Sequence, residues 1–188
     1  MRKLLVFNQM SLDGYFTGEN GDLSWAHRAQ DPEWTDFVSG NAQQDAVLVF
    51  GRVTYDMMRS YWPTPQAREQ QPAVAERMNA LPKIVFSRSL QSSTWSNTTI
   101  VQGDPAGRIR ELKQAPGAGL VLMGSGTIVA QLAEANLVDE YQFVVVPVIL
   151  GKGRTMFEGV KHAPHLVPGR SRTFKNGNQL LCYTAHVQ

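Results

Sequence analysis

Three short, nearly uninterrupted apolar runs constrain this chain more than any other feature: Ala46–Phe50 (AVLVF), Lys83–Ser87 (KIVFS) and Gly119–Met123 (GLVLM). A strand that is apolar at consecutive positions is covered on both faces, which is the condition of a parallel sheet between helices. The stretches between the runs carry helix signals. Asp31-Pro32 and Asp104-Pro105 each set an N-cap acid before a proline at the first helical position. Behind Asp31, the apolar residues Trp34, Phe37 and Val38 recur at helical spacing, and the Asp104 helix extends to about Gln114. Arg52–Ser60, Gln66–Asn79 and Gly126–Asn136 read as further helices. Lys3–Met10, Thr98–Val101 and Glu140–Val148 read as strands. Ser11–Trp25, with Gly14, Gly18, Asn20 and Gly21, reads as a loop. At the end, the turn Asn176-Gly177 precedes a last strand, Gln179–Val187, as in a β-hairpin. Helices and strands alternate for most of the chain and the tail is antiparallel. The expected fold is therefore α/β, one domain, with a mostly parallel sheet and an antiparallel C-terminal hairpin.

Composition narrows the function. The formal charge is only +2 and the basic residues are dispersed, which disfavours a nucleic-acid footprint. No run approaches the roughly 18 apolar residues that a spanning helix needs, and the N-terminal MRKLLVFNQM lacks the pattern of a secretion signal. A single cysteine, Cys182, permits no internal disulfide and no four-thiolate zinc site; a packed thiol in a reducing, cytoplasmic setting is expected. His162 and His165 lie three apart, but Pro164 breaks the helix that would align them, so no metal site is expected. Leu150-Gly151-Lys152-Gly153 is not a P-loop, and Ser125 is not in a nucleophile elbow.

Three strand ends carry suggestive chemistry, and in open α/β sheets ligands bind at the carboxyl ends of strands. After AVLVF come Gly51, Arg52, Val53 and Thr54. A glycine there lets a ligand approach the backbone, and a helix N-terminus offers free N–H groups to a phosphate. After KIVF come Ser87 and Arg88, suited to a phosphate monoester, which in a dinucleotide site favours NADP over NAD. After GLVLM come Gly124, Ser125, Gly126 and Thr127, a second candidate phosphate turn without the third glycine of the Rossmann fingerprint, since Val129 stands there. Each turn alone also fits a tight strand-to-helix connection with no ligand. Two carboxylates stand out, Asp13 in Ser11-Leu12-Asp13-Gly14 and Asp31 before its helix. Each could bind a heterocycle or help move a proton, or could serve a turn or a cap.

Five segments in this order, SLDGYFTGENGDLSW, VFGRVTYDMM, VFSRSL, LMGSGTIVAQLAEANLVDEY and VPVILGKGRTMFEG, resemble the dihydrofolate reductase superfamily. The likeness is greatest to its branch related to the reductase domain of bacterial riboflavin biosynthesis, and it runs from Lys3 to about Val187. The resemblance implies NADPH as hydride donor. Gly51, Arg52 and Thr54 match the family's first phosphate turn, Ser87 and Arg88 its 2′-phosphate segment, and Gly124, Gly126 and Thr127 its second glycine turn. Ser11–Trp25 is similar to the mobile loop over the nicotinamide. Asp31 lies where folate reductases keep the carboxylate that binds the pterin. Met123 departs from the riboflavin branch, which usually has an acid there, whereas LGKGRTMF is similar to that branch. The implied activity is hydride transfer from NADPH to a pterin-like or pyrimidine-like heterocycle. Asp31 or Asp13 would be catalytic, and Trp25, Trp34, Tyr55 and Trp62 would be candidate substrate walls; each equally suits a plain core position. The alternative is an NADP(H)-binding protein without turnover. As in related riboflavin-type reductases, the strand Phe143–Val148 and the terminal hairpin are candidates for a homodimer through the sheet edge; they equally suit a monomer core.

Overall fold

A computed structural model describes residues 1–26, 31–42, 45–162 and 164–185. Six strands run parallel: β1 (Leu4–Ser11), β3 (Ala46–Gly51), β4 (Lys83–Phe86), β5 (Thr98–Val101), β6 (Gly119–Met123) and β7 (Glu140–Val146). The C-terminal hairpin, β9 (Leu166–Thr173) and β10 (Gln179–Ala185), completes an eight-stranded sheet by pairing β10 antiparallel to β7. The strand order is β5-β4-β3-β6-β1-β7-β10-β9. The fold expectation is met: α/β, a mostly parallel sheet and an antiparallel C-terminal hairpin. A separate two-stranded ribbon joins β2 (Tyr15–Thr17) to β8 (Arg154–Thr155).

Strand alternation sorts side chains onto the two faces. Leu4, Val6, Leu120 and Leu122 point toward α5 (Pro105–Gln114) and α6 (Gly126–Glu134), where Ile109, Val129 and Leu132 meet them. Leu120 and Leu122 are fully buried, each contributing about 2 kcal/mol by leaving water. The opposite face is covered in two blocks. Over β3 and β4 lie α2 (Arg52–Tyr61) and α4 (Pro72–Ala80), which bury Leu48, Phe50, Val85 and Tyr55. Over β7 and β10 lies α1 (Pro32–Ala42), whose Trp34 and Phe37 pack with Phe174, Val144 and Cys182.

The expected caps form. The Asp104 carboxylate accepts the Ala106 and Gly107 N–H groups at the start of α5, and Asp31 accepts the Glu33 N–H at the start of α1. Four expectations need correction. Gln66–Asn79 is two helices, α3 (Pro65–Gln70) and α4, because Pro72 has no N–H and forces Gln71 out of the helical region, to φ −141°. Glu140–Val148 stops at Val146, since Pro147 cannot donate to the ladder. Ser11–Trp25 is not a plain loop: it holds β2 and two 3₁₀ turns, Glu19–Gly21 and Ser24–Ala26. Finally, β7 is paired on both sides and offers no edge; the sheet's two outer strands are β5 and β9, of which β9 belongs to the hairpin. The expected end of the last strand, residues 186 and 187, lies outside the described residues.

Candidate functional site

Chain order reverses around β6, which returns between β3 and β1 after the chain has moved outward to β5. At such a point the carboxyl edge of the sheet opens a crevice. Two glycine-bearing turns lie side by side there, at the ends of β3 and β6. Ser125 ties them together: its Oγ accepts the Gly51 N–H at 2.7 Å and donates to Thr54 Oγ1 at 3.0 Å. Gly124 and Ser125 both adopt left-handed backbone, with φ of 62° and 63°. The Gly124 N–H donates to Asn8 Oδ1 of β1 at 2.7 Å, fixing the turn to the middle of the sheet.

A Cβ on Gly51 would stand 2.6 Å from Ser125 Oγ, one on Gly124 2.6 Å from Thr54 Oγ1, and one on Gly126 2.8 Å from the Phe16 ring. The glycines let the two turns and β2 close on one another. What remains for an anion is the first turn of each helix, whose leading N–H groups have no intrahelical acceptor. Thr127 is exposed there, while the Thr54 hydroxyl is buried against Ser125. The exposed Arg52 reaches Asp56 at 3.1 Å along α2. One strand further out, Ser87 Oγ accepts the Ser89 and Leu90 N–H groups and shapes the turn after β4. Arg88 beside it is exposed and has no hydrogen bond or ion pair among the described residues.

The two carboxylates behave differently. Asp31 is 3% exposed; its Oδ1 accepts the Glu33 N–H and its Oδ2 the Asn176 N–H of the hairpin turn, both at 3.0 Å. Burial pushes its carboxyl up, but the N–H groups of Asn176, Glu33 and Trp34 and the charge of Lys175 outweigh it and hold the pKa below the usual value. Asp13 is exposed and bridges loops, accepting the Gly151 N–H at 2.7 Å and the Leu150 N–H at 3.2 Å. The Ser11 hydroxyl, followed by Gly151 and Leu150, lowers its pKa against a desolvation cost. Both are engaged by backbone donors, as cap and as clamp, in line with the turn and cap roles weighed for them in the sequence.

The candidate walls also separate. Tyr55 is fully buried between Phe50 and Trp95 with its hydroxyl on Ser93, so it is core and faces no substrate. Trp62 follows the last turn of α2, about 15 Å along the helix from the edge, with Nε1 on Met58 Sδ. Trp34 packs edge-on to Phe174 at the edge itself, and half-buried Trp25 donates to the Asp22 carbonyl. Between α1 and α2, half-buried Phe7, Gln9 and Met123 form the floor, with Phe7 and Met123 level on neighbouring strands.

Sequence reasoning missed Asn8, whose signal was a polar residue inside an apolar strand. It also missed how firmly 11–25 is held. Beyond Asp13, Lys152 pairs with Glu19 at 2.6 Å, and a Cβ on Gly153 would stand 2.1 Å from the Thr17 carbonyl. A cleft of about 360 Å³ runs from the N-terminus of α6 along residues 154–159, lined by Gly126, Thr127, Gln131, Arg154 and Glu158. His162, weighed as a metal ligand, rests its Nδ1 on Glu134.

Residues 2–180 match the model of the RibD C-terminal domain family. Two uncharacterised Bacillus subtilis proteins are relatives. YyaP is 28% identical over 97% of this chain and 94% of its own length, and YwjB is 23% identical over 95% and 96%. A protein from Shewanella sp. PV-4, named a candidate riboflavin biosynthesis protein, superposes with a TM-score of 0.77 at 24% identity, covering 98% of this chain and 99% of its own. A dihydrofolate reductase from Enterococcus faecalis complexed with NADP(H) superposes with a TM-score of 0.61 at 16% identity, covering 98% and 97%. These likenesses show the fold.

Proposed function

The chain belongs to the RibD C-terminal domain family, and from that premise we propose that it is an NADPH-dependent reductase of a pterin-like or pyrimidine-like heterocycle. One observation carries the reading. Two helix N-termini, at Arg52 and Gly126, stand side by side on adjacent parallel strands, with the guanidinium of Arg88, unpaired among the described residues, one strand beyond. This row of donors suits a diphosphate followed by a 2′-phosphate.

The residues fit the cofactor. The first-turn amides of α2 and α6, with the exposed Thr127, would hold the diphosphate, and Arg88 the 2′-phosphate, after a turn shaped by Ser87. Bound NADPH supplies a hydride. The protein supplies position and water exclusion. Ser125, Thr54 and Asn8 keep the two turns rigid. Phe7 and Met123 give a planar ring an apolar floor, and Trp34 and Trp25 are its remaining candidate aromatic walls. The 11–25 segment, fastened through Asp13 and Glu19 to 150–152, borders the crevice. A homodimer would use the unpaired outer edge of β9.

The test is a titration with NADPH and with NADH, followed by tryptophan quenching. Binding of NADPH at least about tenfold tighter than NADH is expected. Equal affinities, or binding of neither, would refute the cofactor assignment. The reading without turnover draws support from the engagement of Asp13 and Asp31. It predicts NADPH binding with no loss of reduced-nicotinamide absorbance when pterins or aminouracils are added.

A further inference from the structure

The turn joining β9 to β10 buries polar groups that the fold leaves unpaired. Asn178 is 1% exposed, and neither Nδ2 nor Oδ1 of its amide has a hydrogen-bond partner among the described residues. Asn176 Nδ2 is buried without a partner as well. Leu180 and Cys182 lie in the cluster under α1, so alternation carries Asn178 to the same face, beside the start of that helix. Buried amides in folded chains are paired, and an apolar side chain of similar size would cost the closed turn less. Each unpaired group shifts the turn toward a hydrated, open form by roughly 5- to 100-fold.

The turn is anchored at its ends and polar in its middle. Phe174 and Leu180 are buried on either side of it. Within it, the Gly177 N–H donates to the Phe174 carbonyl and the Asn178 N–H to Asn176 Oδ1. Gly177, at φ 87°, leans on Pro147. The Asn176 N–H reaches Asp31 Oδ2 at 3.0 Å, which ties the turn to the start of α1. Arg172 and Lys175 meet Glu33 of α1 through exposed ion pairs at 3.3 and 3.5 Å, a kind of contact that holds little.

We propose that residues 175–179 form a two-state latch on the α1 wall of the crevice. Closed, the Asp31–Asn176 bond joins the first turn of α1 to the hairpin. Open, the amides of Asn176 and Asn178 are hydrated, that bond is broken, and the first turn of α1, from Asp31 to Trp34, moves free of the hairpin to admit a ligand. The unpaired amides keep the two forms close in free energy, so the open one is populated before any ligand arrives. The latch rests on the reductase reading only in taking this crevice as the ligand site.

The experiment is native-state hydrogen exchange by NMR on the full chain without cofactor, so its outcome is independent of whether NADPH binds. One opening exposes the Asn176, Gly177 and Asn178 amides together, and their protection is expected to agree within about threefold. Asn178→Leu keeps the bulk and removes the unpaired groups. It should slow all three by roughly 10- to 100-fold, together with the Thr35 amide, which donates to the Asp31 carbonyl at 2.9 Å. Asn178→Ala should act in the same direction by a smaller factor, and decides the matter if the leucine variant does not fold. Asp31→Ala should speed exchange at Gly177 and Asn178 as well as at Asn176. The latch is overturned if the Asn178 variants leave exchange within about twofold of the wild type, or speed it, since the amide would then stabilise the closed turn as a bound water would make it do. A slowed turn with Thr35 unchanged, or an Asp31→Ala effect confined to Asn176, overturns it too, because the turn would then move without α1.

Discussion

The two halves of the carboxyl edge treat their charged groups in opposite ways. On the β3–β4–β6 side, Arg88 is exposed without a partner among the described residues and two helix N-termini open outward, while neutral side chains such as Ser125 and Asn8 hold the turns. On the β1–β7–β10 side, Asp31 and Asp13 are the struts: one joins α1 to the hairpin turn, and the other joins the 11–14 turn to 150–151. A charge already satisfied by backbone N–H groups is architecture, whereas one left in solvent beside other donors is available to a ligand.

The comparison can be broken most forcefully at Gly124. A methyl there must adopt φ near 62° and sit 2.6 Å from Thr54 Oγ1. Gly124→Ala should cost about 3 kcal/mol, from left-handed strain and overpacking. That lowers Tm by roughly 6–12 °C in a thermal melt followed by circular dichroism. An unchanged Tm would mean the turns are not clasped. Next comes Arg88→Ala, which should reduce the NADPH-over-NADH affinity ratio by about 30-fold, the worth of a charged hydrogen bond. Arg88→Lys should retain part of it, and an unchanged ratio would remove Arg88 from the site. Smaller again, Asp31→Ala should lower Tm by roughly 3–5 °C through the lost cap, with NADPH affinity unaffected. A loss of cofactor binding instead would contradict its purely architectural role.

The smallest effect is the pH dependence. Asp13, Asp31 and Glu134 all have folded pKa values below their usual ones, so each stabilises the fold above its unfolded pKa and stops doing so as pH falls through the folded one. For Glu134 the His162 side chain, then the His162 and Lys161 N–H groups, lower the value from 4.5 to about 2. Urea midpoints of the wild type and Glu134→Gln should therefore differ above pH 4.5 and converge toward pH 2. Added salt should shrink the gap, because the pair is exposed. A constant difference across that window would show that the carboxylate charge is irrelevant.

How much was legible in advance follows from the range of each signal. The apolar runs identified β3, β4 and β6, and Asp104-Pro105 identified the start of α5, because those signals lie within a few residues of what they control. The glycine-bearing turns after β3 and β6 were found for the same reason. For Tyr55 the sequence left wall and core open, because nothing near it announces Phe50 and Trp95 closing around its ring. Lys83 stands at the head of the KIVFS run with no sequence signal of its own role. It is buried, donates to the Asn79, Leu81 and Ser96 carbonyls, and desolvation pushes its pKa down to about 8.

The sequence by itself determined the alternation of elements, the parallel character of the sheet and the places where strands hand over to helices. Local apolar periodicity, proline and capping residues dictate those through nearest-neighbour chemistry. Only the tertiary structure decided which polar groups remain free. Asp31 is occupied by a residue 145 positions away and Asp13 by one 138 away. Whether a side chain is a strut or a ligand-binding group depends on the partners that long-range folding brings to it.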